Sequence, residues 1–251
     1  MADRQKFLIV SLPRTGSTYL VDYLNAIEGV RCLSEIFHPA EIMLRHHEAI
    51  DPQLKEMSVR NTDPLGYLER IEEEMGECFW FGFKHFPRHH LPLLQLLCAS
   101  RDWRKIFLWR ENLLEQYLSF LLASVHFGRT GWGRVPDQVQ MSVPLETLLD
   151  DIHTVQANYL EIEKALLLAH IDDVFTLEYE DLGRPAMMRG LLQFLGLPGP
   201  TIERALEETD GRAGSGELKF ERGPRPAQRI QNYDEIRRRL QHSRYWKWVE
   251  D

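Results

Sequence analysis

The segment Phe7 to Leu24, FLIVSLPRTGSTYLVDYL, constrains the fold more than any other part of the chain. Phe7 to Leu12 is a short apolar, β-branched run without polar alternation, the pattern of a strand buried on both faces. Pro13-Arg14-Thr15-Gly16 breaks it. From Ser17 onward, Leu20, Val21 and Leu24 recur at helical spacing, with Ser17 or Thr18 as the expected N-cap. The expected local structure is strand, tight loop, helix. Such a loop favours an anion. The first helical N–H groups have no partner inside the helix, and the helix dipole adds partial positive charge. Gly16 permits close backbone approach, Ser17 and Thr18 bring hydroxyls, and Arg14 brings a full charge. Together they make a phosphate cradle; the plainer alternative is a capped turn with a surface arginine.

The following chain alternates strands and helices. A second strand is expected at Val30 to Leu33, with Glu35 just after it. Ala40 to Ile50 has helical spacing, Asp51 to Thr62 is polar and loop-rich, and Asp63-Pro64 starts a helix that ends near Gly76. Cys78 to Phe83 is an aromatic strand pattern delivering Lys84 and His85; Leu91 to Ala99 is helical. Lys105 to Trp109 is a strand ending at Arg110, and Asn112 to Val125 an apolar helix carrying Ser119. A long loop follows, at about 126–142, with Trp132 as a candidate acceptor contact. Pro144 to His170 is helical, Val174 to Leu177 is a strand feeding Tyr179, Pro185 to Leu195 is a helix stopped by Gly196, and Thr201 to Glu208 is a short helix. Residues 210–251 form a C-terminal loop and helix segment, with the helix at Tyr233 to His242.

This order predicts an α/β fold: one domain over 1–251 with a central parallel sheet flanked by helices on both faces. The 251 residues, 43% hydrophobic, are enough to bury a full core. A net charge of −8 argues against nucleic-acid partners. Three widely spaced cysteines without a CxxC pair fit reduced thiols, no stretch has transmembrane length and none resembles a signal peptide, so the expected location is cytoplasmic. In parallel sheets ligands bind beyond the carboxyl ends of the strands. Arg14, Glu35, Lys84, His85, Arg110 and Tyr179 all fall there.

The loop P-R-T-G-S-T lacks the lysine and glycine spacing of a Walker A motif. It resembles the 5′-phosphosulfate-binding loop of sulfotransferases that use 3′-phosphoadenosine 5′-phosphosulfate (PAPS), of the compact bacterial type with a P-loop NTPase-like fold. The resemblance implies that Arg14, Thr15, Gly16, Ser17, Thr18 and Tyr19 hold the 5′-phosphosulfate. R-E-N-L-L-E-Q-Y-L-S resembles the segment in which an Arg and a Ser bind the 3′-phosphate, here Arg110 and Ser119. Their separation is one residue longer than usual, and Glu111 adds a negative charge. Tyr179-Glu180-Asp181-Leu182 resembles the family's turn whose tyrosine contacts adenine, and Arg222-Gly223 its C-terminal phosphate contact.

The implied activity is transfer of a sulfuryl group from PAPS to a hydroxyl acceptor such as a carbohydrate or glycolipid. Arg14 and Lys84 would stabilise the leaving phosphate, and no metal is required. Two residues compete as base. His85 has the better unperturbed pKa, but K-H-F-P lacks one residue of the family's Lys-Thr-His-Leu-Pro. Glu35 lies where carbohydrate sulfotransferases carry a base glutamate, and is the favoured candidate. The resemblance leaves a homodimer open. The pairs His46-His47 and His89-His90 are expected to be solvated or capping rather than zinc ligands. A small-molecule P-loop kinase and a non-catalytic nucleotide-binding scaffold remain the alternatives.

Overall fold

Alternation along the first strand sets the layering. In the computed structural model β1 spans Gln5–Ser11. Phe7 and Ile9 enter one apolar cluster, Leu8 and Val10 the other, so the strand is covered on both faces as its unbroken hydrophobicity predicts. The structure describes residues 4–47, 49–128, 135–213 and 226–250. In chain order the further elements are α1 (Ser17–Asn25), β2 (Val30–Leu33), α2 (Met57–Thr62), α3 (Pro64–Glu74), β3 (Trp80–His85), α4 (Leu91–Ala99), β4 (Trp103–Trp109) and α5 (Leu113–Phe127). They continue with α6 (Leu148–Leu166), β5 (Val174–Glu178), α7 (Pro185–Leu195), α8 (Gly199–Ala213), α9 (Pro226–Arg229), α10 (Tyr233–Leu240) and α11 (Lys247–Glu250). Among the described residues, no helix is long and apolar enough to cross a membrane.

The sheet has five strands in the order β2-β3-β1-β4-β5, and all its pairings are parallel. The chain leaves β1 toward β2, returns to β3 beside β1, then crosses to β4 on the other side. The order therefore reverses at β1, and the crevice beyond its carboxyl end is where such sheets bind ligands. Helices α1, α7 and α8 cover the Phe7/Ile9 face, while α3, α4, α5, α6 and α10 cover the other. The β1–β3 contact is tight at Gly82, where a Cβ would lie 2.4 Å from the Phe7 ring and 2.5 Å from the Phe7 carbonyl oxygen.

Most elements match the expectation to within a turn. Asp63 caps α3 through the Gly66 N–H, Asn112 caps α5 through the Glu115 N–H, and Gly196 ends α7 in the left-handed conformation. Three readings change. Helix α1 is capped by Gly16, at φ 77°, rather than by a Ser17 or Thr18 side chain. The stretch 40–50 forms no helix among its described residues. Arg45 and His46 adopt positive φ there, and both side chains reach back to the Asp22 carboxylate of α1. That tertiary pairing overrides the local helical spacing. The polar stretch 51–62, expected as loop, is a 3₁₀ turn at Pro52–Lys55 followed by α2. Trp132, Arg222 and Gly223 lie outside the described residues.

Candidate active site

The site is built on the loop after β1. Both Arg14, at φ 67°, and Gly16 are left-handed. A chain turning this way gathers successive N–H groups into an anion-binding concavity. Thr15 is wholly buried, and its hydroxyl donates to the Leu12 carbonyl at 2.9 Å, so this side chain braces the loop. Ser17 is buried in the first turn of α1, Thr18 is exposed and Tyr19 is half-buried. Arg14 Nε donates to Ser119 Oγ of α5 at 3.0 Å. Burial lowers the Arg14 guanidinium pKa; Tyr179 opposes that shift, and Arg110 and Arg229 add to it. Two further arginines thus act on Arg14.

A buried polar relay connects the loop to Arg110. Gln116 Nε2 donates to the Pro13 carbonyl at 2.8 Å, Tyr159 Oη donates to Gln116 Oε1 at 2.9 Å, and the Arg110 N–H donates to Tyr159 Oη at 3.0 Å. Burial pushes the Tyr159 hydroxyl pKa up, so it serves as a neutral relay. The Arg110 guanidinium lies 4.1 Å from the centre of the Tyr179 ring and is ion-paired to Glu115. Its Nε is buried and has no hydrogen-bond partner among the described residues. Glu111, the acidic neighbour expected beside Arg110, instead pairs with Lys247 at 2.6 Å. Gln116, Tyr159 and Glu115 escaped the sequence reading. Gln116 and Glu115 had a usable signal, since residues three or four apart from Ser119 share its helix face.

Buried Arg229 donates to the Val139 and Pro136 carbonyls at 3.3 and 3.0 Å, and Met141 bridges Ile230. The C-terminal segment is thereby attached to residues 136–141 beside the arginine group. Nothing in the sequence pattern marked Arg229, which lies seven residues beyond Arg222, the arginine carried over from the resemblance.

On the other side of β1, Lys84 Nζ lies 2.7 Å from Glu35 Oε1, and both side chains are at most 1% exposed. Lys84 is in register with Ile9, and His85 with Val10. Alternation therefore sends Lys84 toward the α1 face and His85 toward the opposite face. His85 Nε2 faces the His90 carbonyl at 3.2 Å, which requires the proton on Nε2. Its ring is enclosed by Phe37, Phe83 and His89. Burial lowers its pKa to about 4, partly offset by that carbonyl. Buried Arg60 donates to the Ile36 and His38 carbonyls at 3.2 and 2.7 Å, fixing the segment that carries Glu35.

The histidine pairs split. His46 and His47 bond Asp22 and Asn25 at 2.9 and 3.0 Å, and His90 caps α4 through the Leu93 N–H. His89 departs from the expectation: it is neither solvated nor a cap, but lies with Nε2 3.6 Å from Glu35 Oε2. Burial first, then His85 and His38, then Lys84 and Arg60, lower its pKa to about 2. Ligand-type atoms of Glu35, His38 and His89 come within 4.8 Å of one another. Lys84 already pairs with that carboxylate, and Lys84 and Arg60 both act on His89. A divalent ion held by this group would share the Glu35 carboxylate with the Lys84 ammonium.

A five-stranded parallel sheet covered by helices on both faces defines an α/β protein. Within that class the chain has the sulfotransferase fold, as solved structures show. A sulfotransferase from Alicyclobacillus acidocaldarius matches at 16% identity and TM-score 0.51, covering 87% of this chain and 94% of that one. The sulfotransferase STF9 from Mycobacterium avium matches at 12% identity and TM-score 0.50, covering 95% of this chain and 75% of that one. No family model and no curated protein matches the sequence.

Proposed function

We propose that the chain is a sulfotransferase that moves a sulfuryl group from PAPS to a hydroxyl of a small acceptor, a carbohydrate or glycolipid being the favoured class. The observation that carries this reading is the joint placement at the carboxyl end of β1. The left-handed Arg14 loop meets Arg110, Ser119 and Tyr179 on one side, and the buried Lys84–Glu35 pair lies on the other.

The residues fit the nucleotide. The orphaned Nε of buried Arg110 and the concave loop call for an anion, and the Tyr179 ring offers an aromatic face for adenine. The loop from Arg14 to Tyr19 would hold the 5′-phosphosulfate, and Arg110 with Ser119 the 3′-phosphate. When bound, PAPS supplies an activated sulfuryl group whose departure leaves charge on the 5′-phosphate. In this reading Arg14 and the loop N–H groups would face the growing charge and stabilise the transition state more than the ground state. Lys84 adds a cation one strand away. Glu35 takes the acceptor's proton in this scheme. His85 is the weaker choice, because its Nε2–H is committed to the His90 carbonyl and its ring is enclosed by Phe37, Phe83 and His89.

The test is incubation with radiolabelled PAPS and a panel of sugar, glycolipid and simple alcohol acceptors, alongside calorimetry with adenosine 3′,5′-bisphosphate and with ADP plus Mg²⁺. Transfer of label and uptake of the bisphosphate are expected. Binding of ADP–Mg²⁺ in its place would point to a kinase, and uptake without transfer to any acceptor would point to a scaffold.

A further inference from the structure

We propose that Glu115 competes with the nucleotide's 3′-phosphate for Arg110, and so sets how strongly this pocket prefers a 3′-phosphorylated adenine nucleotide over one without that group. The inference rests on the reading of Arg110 as a 3′-phosphate contact and concerns what the chain has built against it.

Arg110 directly follows β4, with its side chain 8% exposed and its guanidinium over the Tyr179 ring. Its Nη2 is taken by the Glu115 carboxylate, leaving Nε as an unused buried donor. Glu115 and Ser119 are one turn apart on α5 and share a face, and Ser119 Oγ is held by Arg14. The carboxylate is therefore inside the second anion pocket. It cancels the formal charge of Arg110 there. An arriving phosphate dianion must share the guanidinium with a carboxylate or displace it. Displacement is open to it: Glu115 is 29% exposed, so its carboxylate can turn to water, whereas Arg110 is held by its backbone bond to Tyr159 and by Tyr179.

Glu111 provides the control. It carries the same charge at the start of the same turn but is committed to Lys247 at 2.6 Å, outside the pocket. A long-range charge effect would be common to both residues; direct competition belongs to Glu115 alone.

The experiment is titration calorimetry on the full chain, wild type, E115Q, E115A and E111Q, with adenosine 3′,5′-bisphosphate and with adenosine 5′-monophosphate as probes. Thermal unfolding of each variant is measured first. E115Q and E115A are expected to tighten the bisphosphate at least tenfold and to change the monophosphate less than twofold, while E111Q changes neither. Equal tightening of both nucleotides, or the same gain in E111Q, would assign the effect to general charge and overturn the proposal. Weaker bisphosphate binding in E115Q and E115A would make Glu115 a support for Arg110, which also overturns it. If no variant and no wild-type protein binds either nucleotide, the nucleotide reading itself fails and the competition with it. Should E115Q not fold, E115A decides. Should neither fold, Glu115 is a structural partner of Arg110 and the proposal is wrong.

Discussion

Gln116 donates to the carbonyl of Pro13 at 2.8 Å, across 103 residues of chain. Through Tyr159 the same side chain reaches the backbone of Arg110. One amide thus ties the loop after β1 to the end of β4, the two parts proposed to hold the ends of a nucleotide.

Gln116→Leu should therefore lower stability and nucleotide affinity together. It strands the Pro13 carbonyl and the Tyr159 hydroxyl in a buried setting, at about 1–3 kcal/mol for each group left unsatisfied. Tyr159→Phe strands the Arg110 N–H and Gln116 Oε1 instead, and should cost a similar amount. Urea denaturation with calorimetry of adenosine 3′,5′-bisphosphate checks both; a Gln116→Leu protein with wild-type affinity would show that the tie does not position the loop.

The Lys84–Glu35 pair separates chemistry from stability. Glu35→Gln should reduce turnover roughly 10²-fold or more with nucleotide affinity nearly intact. Lys84→Met leaves an uncompensated buried carboxylate and should destabilise by about 3–5 kcal/mol. The double variant should regain most of that stability while remaining inactive. A double-mutant cycle by chemical denaturation, run beside a labelled-transfer assay, measures both quantities. Full turnover in Glu35→Gln with none in His85→Ala would hand the base role to the histidine.

Acid should destabilise the fold through the buried imidazoles. His85 is held at a pKa of about 4 and His89 at about 2, each against an ordinary value of 6.5. As pH falls below about 6.5 the unfolded chain takes up these protons and the folded chain does not, so stability drops until the folded pKa is reached. Above that window neither residue contributes a slope. Each contributes at most about 1.4 kcal/mol per pH unit. Urea midpoints between pH 7 and pH 4.5 should therefore decline less steeply in His85→Gln than in wild type; an unchanged slope would mean that His85 protonates without cost.

Gly82→Ala should be among the most damaging small changes in the sheet. The added Cβ would meet both the Phe7 ring and the Phe7 carbonyl oxygen, and a backbone atom on a central strand cannot step aside. A loss of about 3 kcal/mol is expected from denaturant unfolding. Phe7→Leu alongside it should recover only the ring clash and leave the carbonyl clash in place.

What could be read from the sequence was local. The unbroken run of β1, the Asp63-Pro64 start of α3 and the Gly196 stop of α7 each carry their own instruction, and each is realised. The sheet order was not written in any one segment, because it depends on which strand β3 returns to. The stretch 40–50 misled for a related reason: its spacing is helical, but Asp22, far back on α1, claims Arg45 and His46. At the candidate site, the strand-end positions were legible because parallel sheets bind ligands beyond the carboxyl ends of their strands. Their partners were not. Glu35 meets Lys84 across 49 residues, so neither neighbourhood announces the pair. Glu111 looked like the acid beside Arg110 because it is adjacent in sequence, whereas helical geometry delivers Glu115.

Arg14 carries its charge in a backbone shape that suits glycine, at φ 67°. For an L-residue that shape costs about 1–2 kcal/mol. Neighbours already in place hold it there: Gln116 on the carbonyl before it, Ser119 on its Nε. The loop is cocked by the fold itself. Empty and loaded protein should therefore superpose at this turn, with adaptation to the ligand left to whatever moves around it.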